Sequence, residues 1–479
     1  MATSSSSSSA TKLLTAAASL THLRRPMATC SAARLVPQPP DLIRWVRREG
    51  GSVHPGLKIA NDGASSSLGA TVLSTQPIPG GSDLISLPSG LPLRFDSSVE
   101  PGSALDRLAR RVPEELWAMR LGLKLLQERA EVGSFWWPYI SNLPEAFSLP
   151  IFFSGEDIKS LQYAPLLHQV NKRCRFLLEF EKEVKSLLAD LTPNDHLFGG
   201  QNVDASSLGW AMSAVSSRAF RLHGEILPGG KHTDVPMLLP LIDMCNHSFD
   251  PNARIVQERD SSSSKMLVMV VAERHIEQDT PVTLNYGCLT NDLFLLDYGF
   301  VIPSNPYDIT ELKYDRNLLD AASMVAGVSS PNFSSPEEWQ QEILTKLNLM
   351  GDNAVLKVTL GGQGLVDGRL LASLRVLLTR DREAVEKLDL DSLMSLSADA
   401  PLGLPIETAA LRTVIALCVV ALEYFPTKVM QDEAILKGDI SSSMQLAVQF
   451  RMQKKLLLID VMRKLTQRVR MLSKDKTAA

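Results

Sequence analysis

The sequence predicts an α+β protein: a strand-rich core split by a long helical insertion and followed by a helical C-terminal third. Three observations predict it. Residues 42–93 hold short β runs broken by turn residues, residues 96–232 carry apolar positions at a helical period, and beyond Pro306-Tyr307-Asp308 the apolar stripes are again helical. At 479 residues, 44% of them apolar, the chain buries a large core and divides into two or three domains.

The opening segment stands apart. Residues 1–40 run through Ser4 to Ser9 and an Ala/Ser/Thr-rich stretch with Lys12, Arg24, Arg25 and Arg34, and no acidic residue precedes Asp41. Such a composition lacks the apolar residues to join a core and reads as an organellar transit peptide; a tail without an address is the alternative. From 41 to 95, Leu42-Ile43-Arg44-Trp45-Val46 has helical spacing ending near Gly50-Gly51, while Thr71 to Ser74 and Asp83 to Leu87 read as strands.

Over 96–232, Leu105, Leu108, Val112, Leu116, Leu123 and Leu126 recur near a period of 3.6, and Ile158 to Leu191 continues the habit. Trp136, Trp137 and Tyr139 in this region read as packing, since clustered aromatics mostly serve a core. Over 233–305, Asn246-His247-Ser248 alone reads as a turn. Ala253-Arg254-Ile255-Val256 and Met266 to Val271 are strands about a polar turn, Asp260 to Lys265, and Val282 to Tyr286 follows as another. The remainder, 306–475, is read as helical throughout: Leu370, Leu371, Leu374, Leu377 and Leu378 form one stripe, Leu446, Phe450, Leu457, Val461 and Leu465 another. Arg451 to Arg470 reads as a basic, solvated outer face. Val414 to Leu422, flanked by Arg412 and Glu423, suits a buried helix, and no stretch is expected to span a bilayer.

Charge and cysteine usage narrow the function. A net charge of −4 supplies no field to hold nucleic-acid phosphates, so direct DNA or RNA binding is not expected. The five cysteines (30, 174, 245, 288 and 418) lie far apart without a CxxC or a Cys/His cluster, which indicates neither a disulfide framework nor a zinc or other metal site.

One ordered set of motifs remains. Asn246-His247-Ser248, a hairpin, Leu284-Asn285-Tyr286-Gly287 and Asp297-Tyr298-Gly299-Phe300 follow one another, preceded by Trp136-Trp137-Pro138-Tyr139-Ile140, Leu143-Pro144 and Ser217-Arg218-Ala219-Phe220. Over about residues 41–470 this resembles the SET-domain methyltransferases, and within them the plant Rubisco large-subunit lysine methyltransferase-like family. The resemblance implies a SET-domain β fold with a pseudoknot, a rare threading of chain beneath a later loop. Its parts would be a transit peptide (1–40), the SET domain (41–95 and 233–305), the helical insertion (96–232) and a helical substrate-binding domain (306–475).

The same resemblance implies S-adenosylmethionine as cofactor and a lysine-bearing protein as substrate. Ser66, Leu68 and Gly69 would form the first cofactor loop, although relatives usually show Gly-x-Gly there and only Gly69 survives here. Arg218 would lie near the methionine carboxylate, Asn246 and His247 around adenine and ribose, and Phe300 near the purine, with Tyr286 alongside. Carbonyls near Ser217, Arg218 and Asp243 would hold the target amine, within walls that include Phe220 and Tyr298. Tyr286 and Tyr298 would be the catalytic phenols. Methyl transfer from a sulfonium to an amine moves positive charge from sulfur to nitrogen, so the protein must position and desolvate rather than supply a metal. The Ser-rich leader and the family together point to the chloroplast stroma, with a stromal substrate such as the Rubisco large subunit and no membrane insertion. Two other functions share the motifs: a non-catalytic SET-fold binding module, and a protein-histidine methyltransferase of the branch that acts on actin, where Asn occupies the position of Phe220.

Overall fold

The structure, a computed structural model, describes residues 35–61, 70–95, 99–191, 197–223, 234–259, 266–328, 333, 335–396 and 400–478. The transit-peptide reading therefore falls almost wholly outside the described residues, as do Ser66, Leu68 and Gly69.

Thirteen strands occur among the described residues: β1 Ser52–Val53, β2 Leu57–Asn61, β3 Ala70–Ser74, β4 Asp83–Pro88, β5 Leu93–Arg94, β6 Phe220–His223, β7 Asp234–Leu238, β8 Asn246–His247, β9 Ala253–Arg259, β10 Met266–Ala272, β11 Thr283–Leu284, β12 Ile309–Lys313 and β13 Lys357–Gly361. They form small sheets, in the orders β1-β4-β10-β9, β2-β3 and β5-β7-β6, with β8-β11 and β12-β13 as further pairs. The β9–β10 hairpin is in register from Ala272 opposite Ala253 to Met266 opposite Arg259, and along the wholly apolar β10 it is Val268, Val270 and Ala272, on one face, that are buried. Its partner β4 brings in the N-terminal part of the chain, pairing Leu267 with Pro88 and Val270 with Ile85. Residues far apart in sequence thus share one sheet on either side of the insertion.

The insertion supplies the helices that press on this core. Asp204 caps the helix Ala205–Ser216 by accepting from the Ser207 amide. That helix crosses the helix Ala118–Ala130 at Gly122, where a Cβ would stand 3.2 Å from the Ala211 backbone; the missing side chain is what lets the two backbones approach. Trp210 is buried and donates to the Pro144 carbonyl at 3.0 Å, which fixes the Leu143-Pro144 turn against the same helix.

Three expectations about the C-terminal third are corrected. It is not helical throughout: β12 pairs antiparallel with β13, Ile309 opposite Gly361, Thr310 opposite Leu360 and Leu312 opposite Val358. A second correction concerns length. The helix Leu404–Glu423 has 20 residues, and its length and composition suit a membrane crossing. The helix begins ten residues before the apolar run Val414 to Leu422, at a first turn that Pro405 opens. Ala410, Leu411, Val414, Leu417 and Cys418 of that helix are buried in the chain's own core.

The third correction concerns the start of the basic face, since Arg463, Lys464 and Arg470 farther along it are exposed as expected. Arg451, Lys454 and Lys455 are buried, because carboxylates meet them there. Asp432 accepts from Arg451 Nε at 2.9 Å and from Lys455 Nζ at 2.6 Å, while Lys454 reaches Asp292 and Asp308. Another buried pair, Arg375 with Glu407, is bidentate at 2.7 and 2.8 Å, and Arg375 also donates to the Leu393 carbonyl at 2.6 Å. Buried charges of this kind are tolerated only when their hydrogen-bonding capacity is met, and here it is met by several partners each.

Candidate active site

The segment Leu239–Ser248 turns into the core through an unusual backbone. Leu241 is fully buried at φ 72, a left-handed conformation that a branched side chain adopts only when its surroundings enforce it. A 3-10 turn, Ile242–Met244, follows and delivers β8. β8 runs parallel to β11, with Asn246 opposite Thr283 and His247 opposite Leu284. Parallel neighbours need a crossover, and the β9–β10 hairpin, committed to another sheet, provides it. Side chains then sew the crossing together. Asn252 accepts from the Thr283 amide at 2.8 Å and donates to the Pro281 carbonyl at 2.9 Å, while the Ser248 amide donates to the Leu284 carbonyl at 2.9 Å.

His247 sits at the centre of an aromatic cluster. Its ring centroid lies 4.9 Å from Phe294, 5.2 Å from Tyr286, 4.7 Å from Phe249 and 6.4 Å from Phe300. Burial pushes its pKa down to about 4, against the opposing pull of the Leu284 carbonyl, so the ring is neutral at physiological pH. Nδ1 accepts from the Tyr286 amide at 3.1 Å, which places the one ring proton on Nε2. Nε2 is buried with no hydrogen-bond partner, a donor left for an acceptor from outside the chain. The neighbouring Asn246 side-chain amide donates to the Thr71 hydroxyl at 3.2 Å on β3, the strand that begins at Ala70.

Tyr286 and Tyr298 stack, centroids 5.1 Å apart at an interplanar angle of 24°. The Tyr286 hydroxyl donates to the Cys245 carbonyl at 2.6 Å, and Phe220 meets the ring edge-on at 6.3 Å. Burial raises the Tyr286 phenol above its ordinary range, with the Cys245 thiol adding to the shift, and pushes Tyr298 up to about 12 with Asp297 assisting. Both phenols stay protonated. Tyr298 closes a π-helical turn, Phe294–Tyr298, that ends at Gly299 with φ 80. A Cβ there would lie 2.9 Å from the Ser148 carbonyl, so the turn requires glycine twice over, for its dihedral and for its space.

On the other side of Cys245 lies a buried polar network. The Tyr139 hydroxyl donates to Asp243 Oδ2 at 2.5 Å, and Arg218 donates from Nη1 to the Asp243 carbonyl at 3.0 Å. Asp243 Oδ1 and Arg218 Nε are buried without partners. Burial raises the Asp243 carboxyl to about 6, with Arg218 and the Tyr139 bond opposing the shift. Ser217 ends the helix Ala205–Ser216 by donating its hydroxyl to the Ser213 carbonyl at 2.7 Å, so it faces its own helix.

The structure therefore gathers Arg218, Phe220, Asp243, Asn246, His247, Tyr286, Tyr298 and Phe300 around one point of the fold, with Ser217 at its edge. Four contributors escaped the sequence reading. Tyr139 is buried as a packing aromatic would be, but its hydroxyl also donates to Asp243 Oδ2. Phe249 and Phe294 flank His247, and Thr71 meets Asn246. Only Tyr139 left a signal, inside the quoted Trp136–Ile140 motif.

This geometry defines a SET-type site, and similarity to known proteins agrees. The SET domain family matches residues 69–287, and the family described as Rubisco LSMT substrate-binding matches residues 333–458. The chain thus joins a SET domain to a Rubisco LSMT substrate-binding domain, as in SET methyltransferases of the LSMT-like family. Its fold is that of the LSMT SET domain bound to lysine and AdoHcy, with TM-score 0.60, 20% identity, and 90% of this chain and 92% of that one covered. Rubisco LSMT bound to AdoMet is similar at TM-score 0.60 and 19% identity, over 90% of this chain and 92% of that chain. Among curated proteins, actin-histidine N-methyltransferases of Mus musculus and Homo sapiens are each 24% identical over 433 residues, covering 88% of this chain and 67% of theirs.

Proposed function

We propose that this chain is an S-adenosylmethionine-dependent protein-lysine N-methyltransferase acting on a stromal protein, such as the Rubisco large subunit. The observation that carries the reading is the stacked Tyr286–Tyr298 pair set against the Asn246–His247 crossing. The residues present fit the cofactor. The partnerless His247 Nε2–H offers a donor to an adenine or ribose acceptor, Arg218 Nε offers one to a carboxylate, and Phe294 and Phe300, stacked at 5.0 Å and 28°, offer an apolar wall. When bound, the cofactor supplies a methyl group on a sulfonium.

The remaining work belongs to the protein. A free lysine amine has a pKa of about 10.4, so the site must admit it after proton loss and hold its lone pair in line. Tyr286 is prepared for this: its one proton is spent on the Cys245 carbonyl, which leaves its oxygen lone pairs to accept from an amine N–H or a polarised methyl C–H. The ring faces of Tyr286, Tyr298 and Phe220 tolerate the methylammonium that forms. The Asp243 carbonyl, on the amine side by family analogy, already accepts from Arg218, so its second lone pair is the one available.

A histidine target is the second reading, favoured by the curated relatives. Against it stands Phe220, whose ring edge on Tyr286 offers no group to bond an imidazole nitrogen. Residues 1–40 support delivery to the plastid. The test incubates the purified full chain and labelled S-adenosylmethionine with a stromal extract, followed by mass spectrometry. Methyl on lysine, lost with Asn246→Ala, is expected; methyl on histidine would move the assignment to the second reading. No labelled protein and no thermal shift at millimolar cofactor would remove both.

A further inference from the structure

The helix Ser442–Ala478 carries Lys454 in a place that substrate binding does not explain. Lys454 is fully buried, and its ammonium spends its three protons on Asp292, on Asp308 Oδ1 at 2.8 Å and on the Ile309 carbonyl at 2.6 Å. The rings of Tyr163 and Phe450 each lie 5.2 Å from the nitrogen. Asp308 in turn accepts from the Asn291 amide at 2.9 Å, and Asn291 exchanges two bonds with the backbone of Ile302, at 2.9 and 3.0 Å.

Asn291 and Asp292 begin the turn whose end is Tyr298. The short helix Asn291–Leu293 passes directly into Phe294–Tyr298, so what holds Asp292 sets where Phe294 and Tyr298 point. The far end of the same turn is held as well. Arg173 pairs with Asp297 at 2.7 Å and donates to the Leu296 carbonyl at 3.2 Å. A π-turn has a poorer hydrogen-bond pattern than an α-helix and keeps its shape when its surroundings over-determine it. The two clamps do this, one from the insertion and one from the C-terminal domain.

We propose that Lys454 is a positioning residue for the active site: through Asp292 and Asp308 it holds the Tyr298 turn against Tyr286, so the helical domain takes part in building the catalytic wall as well as in meeting substrate. Without the ammonium, two carboxylates are left facing each other in the core, and burial already raises Asp292. They separate or take up a proton, and the turn moves with Asp292. Asp432, bonded to Arg451 and Lys455 on the same helix, has no such link to the turn and serves as a control of equal burial.

The experiment labels the full chain with 3-fluorotyrosine and records 19F spectra, seven resonances that Tyr→Phe variants assign. Lys454→Met is expected to shift the Tyr298 resonance by more than its linewidth and to leave that of the exposed Tyr424 in place. Asp292→Asn, at a side chain 21% exposed and of unchanged shape, is the milder variant should Lys454→Met not fold, and a shift of the same resonance is expected. Asp432→Asn is expected to lower the melting temperature without moving Tyr298. An unmoved Tyr298 signal in either folded variant, or an equal shift in Asp432→Asn, overturns the proposal. The readout needs neither substrate nor cofactor, so it stands or falls apart from the methyltransferase reading.

Discussion

Tyr139→Phe removes one oxygen from the core and leaves the packing of the ring intact, so its cost depends on the charge of Asp243. Both side chains are buried, and Asp243 Oδ1 has no partner. With its pKa at about 6, Asp243 is protonated at pH 5 and ionised at pH 8. A neutral buried hydrogen bond contributes about 1 kcal/mol, while one to a charged group contributes about 1.5–3 kcal/mol. Tyr139→Phe should therefore cost about 1 kcal/mol at pH 5 and about 1.5–3 kcal/mol at pH 8. The sign follows from linkage. A carboxyl whose folded pKa is raised from 3.8 to about 6 binds more protons folded than unfolded, so the stability it contributes is complete below pH 3.8 and is lost as pH rises through 6. Over that window the loss is about 3 kcal/mol at 1.36 kcal/mol per pKa unit. Asp243→Asn, unable to ionise, should abolish that slope. Urea titrations of wild type, Tyr139→Phe and Asp243→Asn at pH 5 and pH 8 measure all of this. An equal cost of Tyr139→Phe at the two pH values, or a stability difference between wild type and Asp243→Asn that is the same at pH 5 and pH 8, refutes the reasoning.

Two further outcomes follow from the same site. Tyr286→Phe keeps the ring stacked on Tyr298 but frees the Cys245 carbonyl and removes the lone pairs aimed at the amine; turnover should fall by about 2–4 kcal/mol of barrier with S-adenosylhomocysteine affinity nearly unchanged, measured by kinetics and calorimetry. Full turnover would transfer the role to Tyr298. Gly299→Ala, at φ 80 with its new Cβ 2.9 Å from the Ser148 carbonyl, should destabilise by about 1–3 kcal/mol and disturb Tyr298, and a melting temperature equal to wild type would show that the turn can relax without cost.

The fold was largely legible because its signals are local. The β9–β10 hairpin announces itself by two apolar runs about a polar turn, and the stripe Leu370 to Leu378 by its period, seen as the helix Gly368–Leu378. The motifs that drew attention to Asn246, His247, Tyr286 and Tyr298 rest on order along the chain, and order survives folding. What the sequence could not determine is which polar atoms end up without water. Tyr139 looks like any core aromatic until Asp243 is placed 2.5 Å from its hydroxyl, from a segment more than a hundred positions away. Lys454 and Arg451 look like a solvated face because helical periodicity reports only the helix's own pattern; Asp292, Asp308 and Asp432 arrive from other elements and turn that face inward. The β12–β13 pair escaped for the same reason, since short strands are fixed by a distant partner rather than by their own propensity. Chemistry carried by residue type and spacing belongs to the sequence, whereas the desolvation that sets His247 near 4 and Asp243 near 6 exists only once the chain has closed around them.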